Sequence, residues 1–169
     1  MSESREWLVQ WLRDAHAMEE QAETMLNGQL SRIENYPELS DRMRLHLDET
    51  RQQAARLKAC LDRMDEGSST MKDAGGKVTA MAQSLSGFFA ADEVMKGSLA
   101  SYTFEHMEIA SYTILIAAAE SLGETEVVRA CEDNLREEVS MAEWLKDHLP
   151  STTGEFLARA ETESDTAKR

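Results

Sequence analysis

The sequence predicts an all-α protein: a bundle of four long helices. Three observations carry this. Only 2 prolines and 8 glycines occur in 169 residues, so long stretches contain no helix breaker. Four of these stretches place apolar residues at alternating three- and four-residue steps, the spacing of a bundle seam. The connections between them run short, long, short.

Helix 1 is predicted from Ser4 to Ile33, with Leu8, Leu12, Ala15, Glu19, Ala22 and Leu26 along one seam. Trp7, Trp11, Met18 and Met25 widen that stripe. Asn35-Tyr36-Pro37 breaks the chain, and proline suits the first turn of the helix that follows. Helix 2 is predicted from Pro37 to Met64. Its seam reads Met43, His46, Thr50, Gln53, Leu57, Cys60, Met64, polar in the middle, with Glu49 beside it.

Asp65 to Lys77 has the composition of a loop, and Val78 to Ala91 that of a short helix crossing the bundle. Helix 3 is predicted from Asp92 to Leu122, stopped by Gly123. Helix 4 runs from Glu124 to Leu149, before Pro150, with Val128, Cys131, Leu135, Glu138, Ala142, Leu145 and Leu149 as its seam. A short C-terminal helix follows from Gly154 to Glu161. The domain is expected to span residues 1–163, with 164–169 a disordered tail. A long connection between the middle helices lets helix 3 start at the same end as helix 2, which is the ferritin-like topology of four-helix bundles.

Helix 3 carries the first functional signal. Glu105 and Glu108 are three residues apart and project from one face, together with Tyr102, Ile109, Tyr112 and Ile116. Carboxylates among core residues are costly unless compensated, and a cation is the usual compensation. Glu19, Glu49, Glu108 and Glu138 each sit near the middle of their own helix. Helices of similar length packed side by side bring these four to one level, where like charges would repel. The expected site is therefore a mid-bundle metal centre of Glu19, Glu49, Glu105, Glu108 and Glu138. Oxygen-rich ligation suits iron or manganese, with magnesium or calcium as alternatives. The histidines do not follow the Glu-x-x-His pattern of di-iron bundles. His46 and His106 are read as hydrogen-bonded or solvated rather than ligating, and Tyr102 and Tyr112 as packing residues with satisfied hydroxyls.

The net charge of −14 argues against a nucleic-acid partner, since phosphate would be repelled. The N-terminal residues carry charges throughout and match neither a signal peptide nor a membrane span, so a cytoplasmic location is expected. Cys60 and Cys131 lie on apolar stripes and are read as core residues. No nucleotide loop, hydrolase triad or zinc finger is present in the sequence.

Four stretches together resemble the YciE/YciF stress-protein family of the ferritin-like superfamily. They are Leu12-Arg13-Asp14 through Glu19 and Gln21, His46-Leu47-Asp48-Glu49-Thr50, Glu105-His106-Met107-Glu108-Ile109-Ala110-Ser111-Tyr112, and Leu135-Arg136-Glu137-Glu138. The resemblance implies a rubrerythrin-like bundle, a homodimer in bacterial cytoplasm, and a link to stress. It places the family's metal glutamates on the same five positions, Glu19, Glu49, Glu105, Glu108 and Glu138. It also marks two departures: Gln53 stands where relatives carry His, and Ala142 where they carry Asp. Two readings follow. One is a di-metal carboxylate protein, able if it holds iron to react with oxygen or peroxide. The other is a non-enzymatic scaffold or partner-binding dimer with an incomplete metal site, offering Trp7, Trp11 and Trp144 as aromatic contact candidates.

Overall fold

The computed structural model describes residues 2–65, 91–162 and 164–169. The expected loop to Lys77 and short helix from Val78 fall outside the described residues, save at their edges. Helix α1 spans Glu3–Leu30, and the Ser2 side chain caps it by accepting from the Arg5 amide at 3.4 Å. Helix α2 spans Pro37–Asp65, with proline in the first turn, where its missing N–H leaves no bond unmade. Helix α3 spans Glu93–Leu122. It closes on Gly123, whose φ of 70° lets the Glu124 amide reach Ala119 O at 2.9 Å and the Gly123 amide reach Glu120 O at 3.1 Å.

Helix α4 spans Thr125–Thr162 and corrects one expectation: it runs through Pro150 as one element. Pro150 and Lys146, whose carbonyl loses its helical partner, are both exposed, so the unmade bond is not enclosed in the core. Past the proline, Thr152 is buried and Phe156 packs on the core, which holds the second half in line. The expected separate C-terminal helix is the end of α4.

Helix α5 spans Ser164–Ala167. The last residues, expected as a disordered tail, dock across the starts of α2 and α3. Ala167 O accepts from the Tyr36 hydroxyl at 2.6 Å, Lys168 O from the Val94 amide at 3.0 Å, and Arg169 O from the Asn35 amide at 3.1 Å.

The ion pairs and hydrogen bonds give the topology. Arg63 lies 3.6 Å from Glu126 and Glu38 lies 3.3 Å from His148, so α2 and α4 are antiparallel. Arg5 pairs with Glu124, and Ser101 bonds Gln29 at 3.1 Å, so α1 and α3 are antiparallel as well. Since α1 and α2 form a hairpin, α2 and α3 run in the same direction. Asp65 and Glu93 therefore lie at opposite ends of the bundle. This is the ferritin-like four-helix arrangement, and no strand occurs among the described residues.

Two apolar clusters fill the ends. One holds Leu8, Leu12, Leu57, Cys60, Leu115 and Cys131. The other holds Leu26, Leu39, Met43, Val94, Met141 and Leu145. Each fully buried leucine contributes roughly 1.5–3 kcal/mol. That stabilisation offsets a polar layer between the clusters, in which Glu19, His46, Gln53, Glu105, Glu108 and Glu138 are all buried.

Candidate metal centre

All four helices feed this layer. From α3, Glu105 and Glu108 point inward from successive positions of one face, as their three-residue spacing requires. Glu138 enters from α4 and His46 from α2. Ligand atoms of His46, Glu105, Glu108 and Glu138 all lie within 4.8 Å of one another.

His46 is the pivot. Its Nε2 lies 3.1 Å from Glu105 Oε2 and 3.5 Å from Glu138 Oε2, and its Nδ1 lies 2.9 Å from Glu49 Oε2. Burial alone would lower the imidazole's pKa. Glu105, Glu49 and Glu138 reverse that and hold it up at about 10. Burial is the first cause of the opposite problem at the acids. It lifts Glu108 and Glu138 well above the carboxylate range, and neighbouring carboxylates push them further. Glu138 has no hydrogen-bond partner on either oxygen, and Glu108 none on Oε1, among the described residues.

Glu19 lies beside this group. Burial pushes its carboxyl up to about 8, although the Tyr112 hydroxyl donates to Oε1. Its Oε2 has no hydrogen-bond partner among the described residues. Asn134 donates to the Tyr112 oxygen at 3.0 Å and accepts from Arg56 at 2.9 Å, while Arg56 grips Glu137 with two bonds of 2.7 and 2.9 Å. A chain of polar contacts thus links the bundle surface to Glu19. Glu49 lies at the edge of the layer and is part-exposed; His46 and Arg42 hold its carboxyl below the usual range against its partial burial.

Of the five glutamates expected as ligands, Glu105, Glu108 and Glu138 converge in the four-residue group. Glu19 and Glu49 flank it. His46, expected to be hydrogen-bonded or solvated rather than ligating, is buried and belongs to the group. Its position on the polar seam of α2 is the signal that marks it. His106 is exposed and packs edge-on against Tyr102. Tyr112 has its hydroxyl satisfied. Gln53 is fully buried, and neither of its amide atoms has a hydrogen-bond partner among the described residues. Ala142 is buried one turn beyond Glu138 and supplies no ligand. The orphaned oxygens and the single imidazole fit one divalent cation, which would replace protons as the compensating charge.

A family model described as a domain of unknown function (DUF892) matches residues 3–158. The chain belongs to this family. This DUF892 chain is 45% identical to a Xanthomonas campestris pv. campestris protein of known crystal structure, with a TM-score of 0.79 over 95% of this chain and 99% of that one. It superposes on the crystal structure of the Escherichia coli stress protein YciF with a TM-score of 0.76, 22% identity, and coverage of 92% and 99%. A third likeness is YcfI, a putative structural protein from Rhodopseudomonas palustris, at 26% identity and a TM-score of 0.69 over 86% of this chain and 94% of that one. These findings agree with the YciE/YciF-like resemblance of the sequence. No helix among the described residues is long and apolar enough to cross a membrane.

Proposed function

We propose that this DUF892 protein is a stress-response protein that binds a divalent metal at mid-bundle, and that within its family it stands nearest YciE. The stress role is carried over from its fold neighbour, the Escherichia coli stress protein YciF. The single observation that supports metal binding is the convergence of His46, Glu105, Glu108 and Glu138 in a buried group with carboxylate oxygens that lack a hydrogen bond among the described residues. Three carboxylates and one imidazole suit iron or manganese best, with magnesium as the harder alternative. Glu19 and Gln53 carry further buried oxygens from which a second ion could draw ligands. A cytoplasmic homodimer completes the reading, with the exposed Trp7 and Trp11 as contact candidates.

One observation favours a second reading. The His46 imidazolium already lies against Glu49, Glu105 and Glu138, so the layer has an internal cation and can stand without metal. The protein would then be a scaffold.

Elemental analysis of untagged protein purified without chelator separates the two. About one equivalent of iron or manganese per chain, lost on Glu108→Gln substitution, is the expected result. Less than about a tenth of an equivalent, with no uptake on reconstitution, would leave the scaffold.

A further inference from the structure

At the end of the bundle where the C-terminal residues dock, α1 and α3 part around a cavity of about 310 Å³. Its volume is at the lower end of the range for small-molecule sites, roughly 300–1,000 Å³. The lining is two-sided in character. Leu39, Met43, Val94, Phe104 and Leu145 form a buried apolar floor. Arg32, Lys96, Lys168 and Arg169 stand at the wall and mouth, with Glu93 the one acid lining it among the described residues. Four of the 18 basic residues of a chain with net charge −14 therefore gather at one opening. Arg32 pairs with Glu93, and Lys96 with Asp92 at 3.0 Å.

Two glycines, Gly28 and Gly97, line the cavity. A Cβ at Gly28 would meet nothing within 4 Å, and the nearest atom to one at Gly97 would belong to the Gln29 side chain, at 3.7 Å. Neither has the left-handed backbone that demands glycine, since Gly123 alone has positive φ among the described residues. Mid-helix glycine costs roughly 0.5–1 kcal/mol relative to alanine.

We propose that this cavity binds an amphipathic organic anion, an unbranched carboxylate of medium chain length. Its alkyl chain lies on the Met43–Phe104–Leu145 floor, and its head group meets the basic residues at the mouth. Apolar burial supplies the attraction, and the charge at the mouth sets the orientation. The floor comes close to the metal layer in sequence: Met43 precedes His46 by three residues, and Phe104 is adjacent to Glu105. The proposal does not depend on metal.

Isothermal titration of the full chain with decanoate tests it, with decanol and butyrate as probes that lack the charge or the chain. Decanoate is expected to bind at least about tenfold more tightly than either, with or without metal. Gly28→Phe adds a ring at a lining position without a backbone clash and should weaken decanoate at least about tenfold while the melting temperature holds or rises. Lys168→Glu should weaken decanoate and leave decanol unchanged. Absence of decanoate binding at about millimolar concentration, equal affinity for decanol, or indifference to Gly28→Phe would each overturn the proposal. Metal content, measured on the same samples, reports separately on the mid-bundle site.

Discussion

The Tyr112 hydroxyl donates to Glu19 Oε1 across the α1–α3 contact, with both side chains buried and 93 residues apart in sequence. It leaves Glu19 Oε2 as the oxygen with no hydrogen bond among the described residues. Tyr112→Phe removes that donor while keeping the ring. The metal-free protein is expected to lose roughly 1–3 kcal/mol, because Glu19 Oε1 and the Asn134 amide both lose a partner. Urea denaturation of chelator-treated protein measures this. A loss below about 0.5 kcal/mol would show that the bond does not support the layer.

His46 is the cation nearest Glu105 and Glu138. His46→Gln should destabilise the metal-free protein by about 3–5 kcal/mol, the usual cost of breaking a buried pair from one side. It should also cut metal uptake, since one of the four grouped side chains is lost. Should the variant retain full affinity for iron and manganese, His46 is a counter-ion and not a ligand.

Metal uptake should release protons. Glu19 at about 8 and His46 at about 10 both carry a proton at neutral pH, and a cation in the layer displaces protons of this kind. Titration calorimetry in two buffers of different ionisation enthalpy counts them. Identical heats in the two buffers would mean that no proton leaves.

Stability without metal should fall as pH rises. Glu19 titrates at about 8 in the fold against 4.5 ordinarily, and His46 at about 10 against 6.5. In each case the folded chain keeps a proton that the unfolded chain has released. The His46 contribution is fully present below about 6.5 and lost through about 10; the Glu19 penalty grows from about 4.5 and is complete near 8. Glu49, held low, acts in the opposite sense: its contribution is present above the ordinary value of 4.5 and lost as pH falls through its lowered one. Chelator-treated protein should therefore melt at a lower temperature at about pH 9 than at about pH 6, and metal should flatten the difference. A higher melting temperature on the alkaline side would contradict these shifts.

Pro150 sits on the exposed side of a continuous α4. Pro150→Ala restores one helix bond and removes a steric clash, worth about 3 kcal/mol, less up to about 1 kcal/mol for the freer unfolded chain. A gain of about 2–3 kcal/mol in denaturant stability is expected. A loss would mean that the proline bend is needed to seat Thr152 and Phe156.

Local sequence was enough for the four long helices, save the run of α4 past Pro150, and for most of what they bury. The α1 seam from Leu8 to Leu26 and the α2 seam from Met43 to Met64 are buried residue for residue. Helical spacing alone dictates which side chains share a face, and equal helix lengths dictate which positions share a level. On α4 the expected seam is rotated slightly from the buried one. Val127, Asn134 and Met141 are buried, whereas Val128, Leu135 and Leu149 are only partly so.

That rotation is a tertiary quantity, set by how neighbouring helices pack, and so is the division between the converging Glu105, Glu108 and Glu138 and the flanking Glu19 and Glu49. The inward turn of His46, the Arg56–Asn134–Tyr112–Glu19 chain, the run of α4 through Pro150 and the docking of Lys168 and Arg169 also depend on contacts between distant segments. Periodicity along one helix carries no information about them. Composition and spacing determined that this chain would bury a layer of acid among four helices. Packing decided which acids meet, and which histidine meets them.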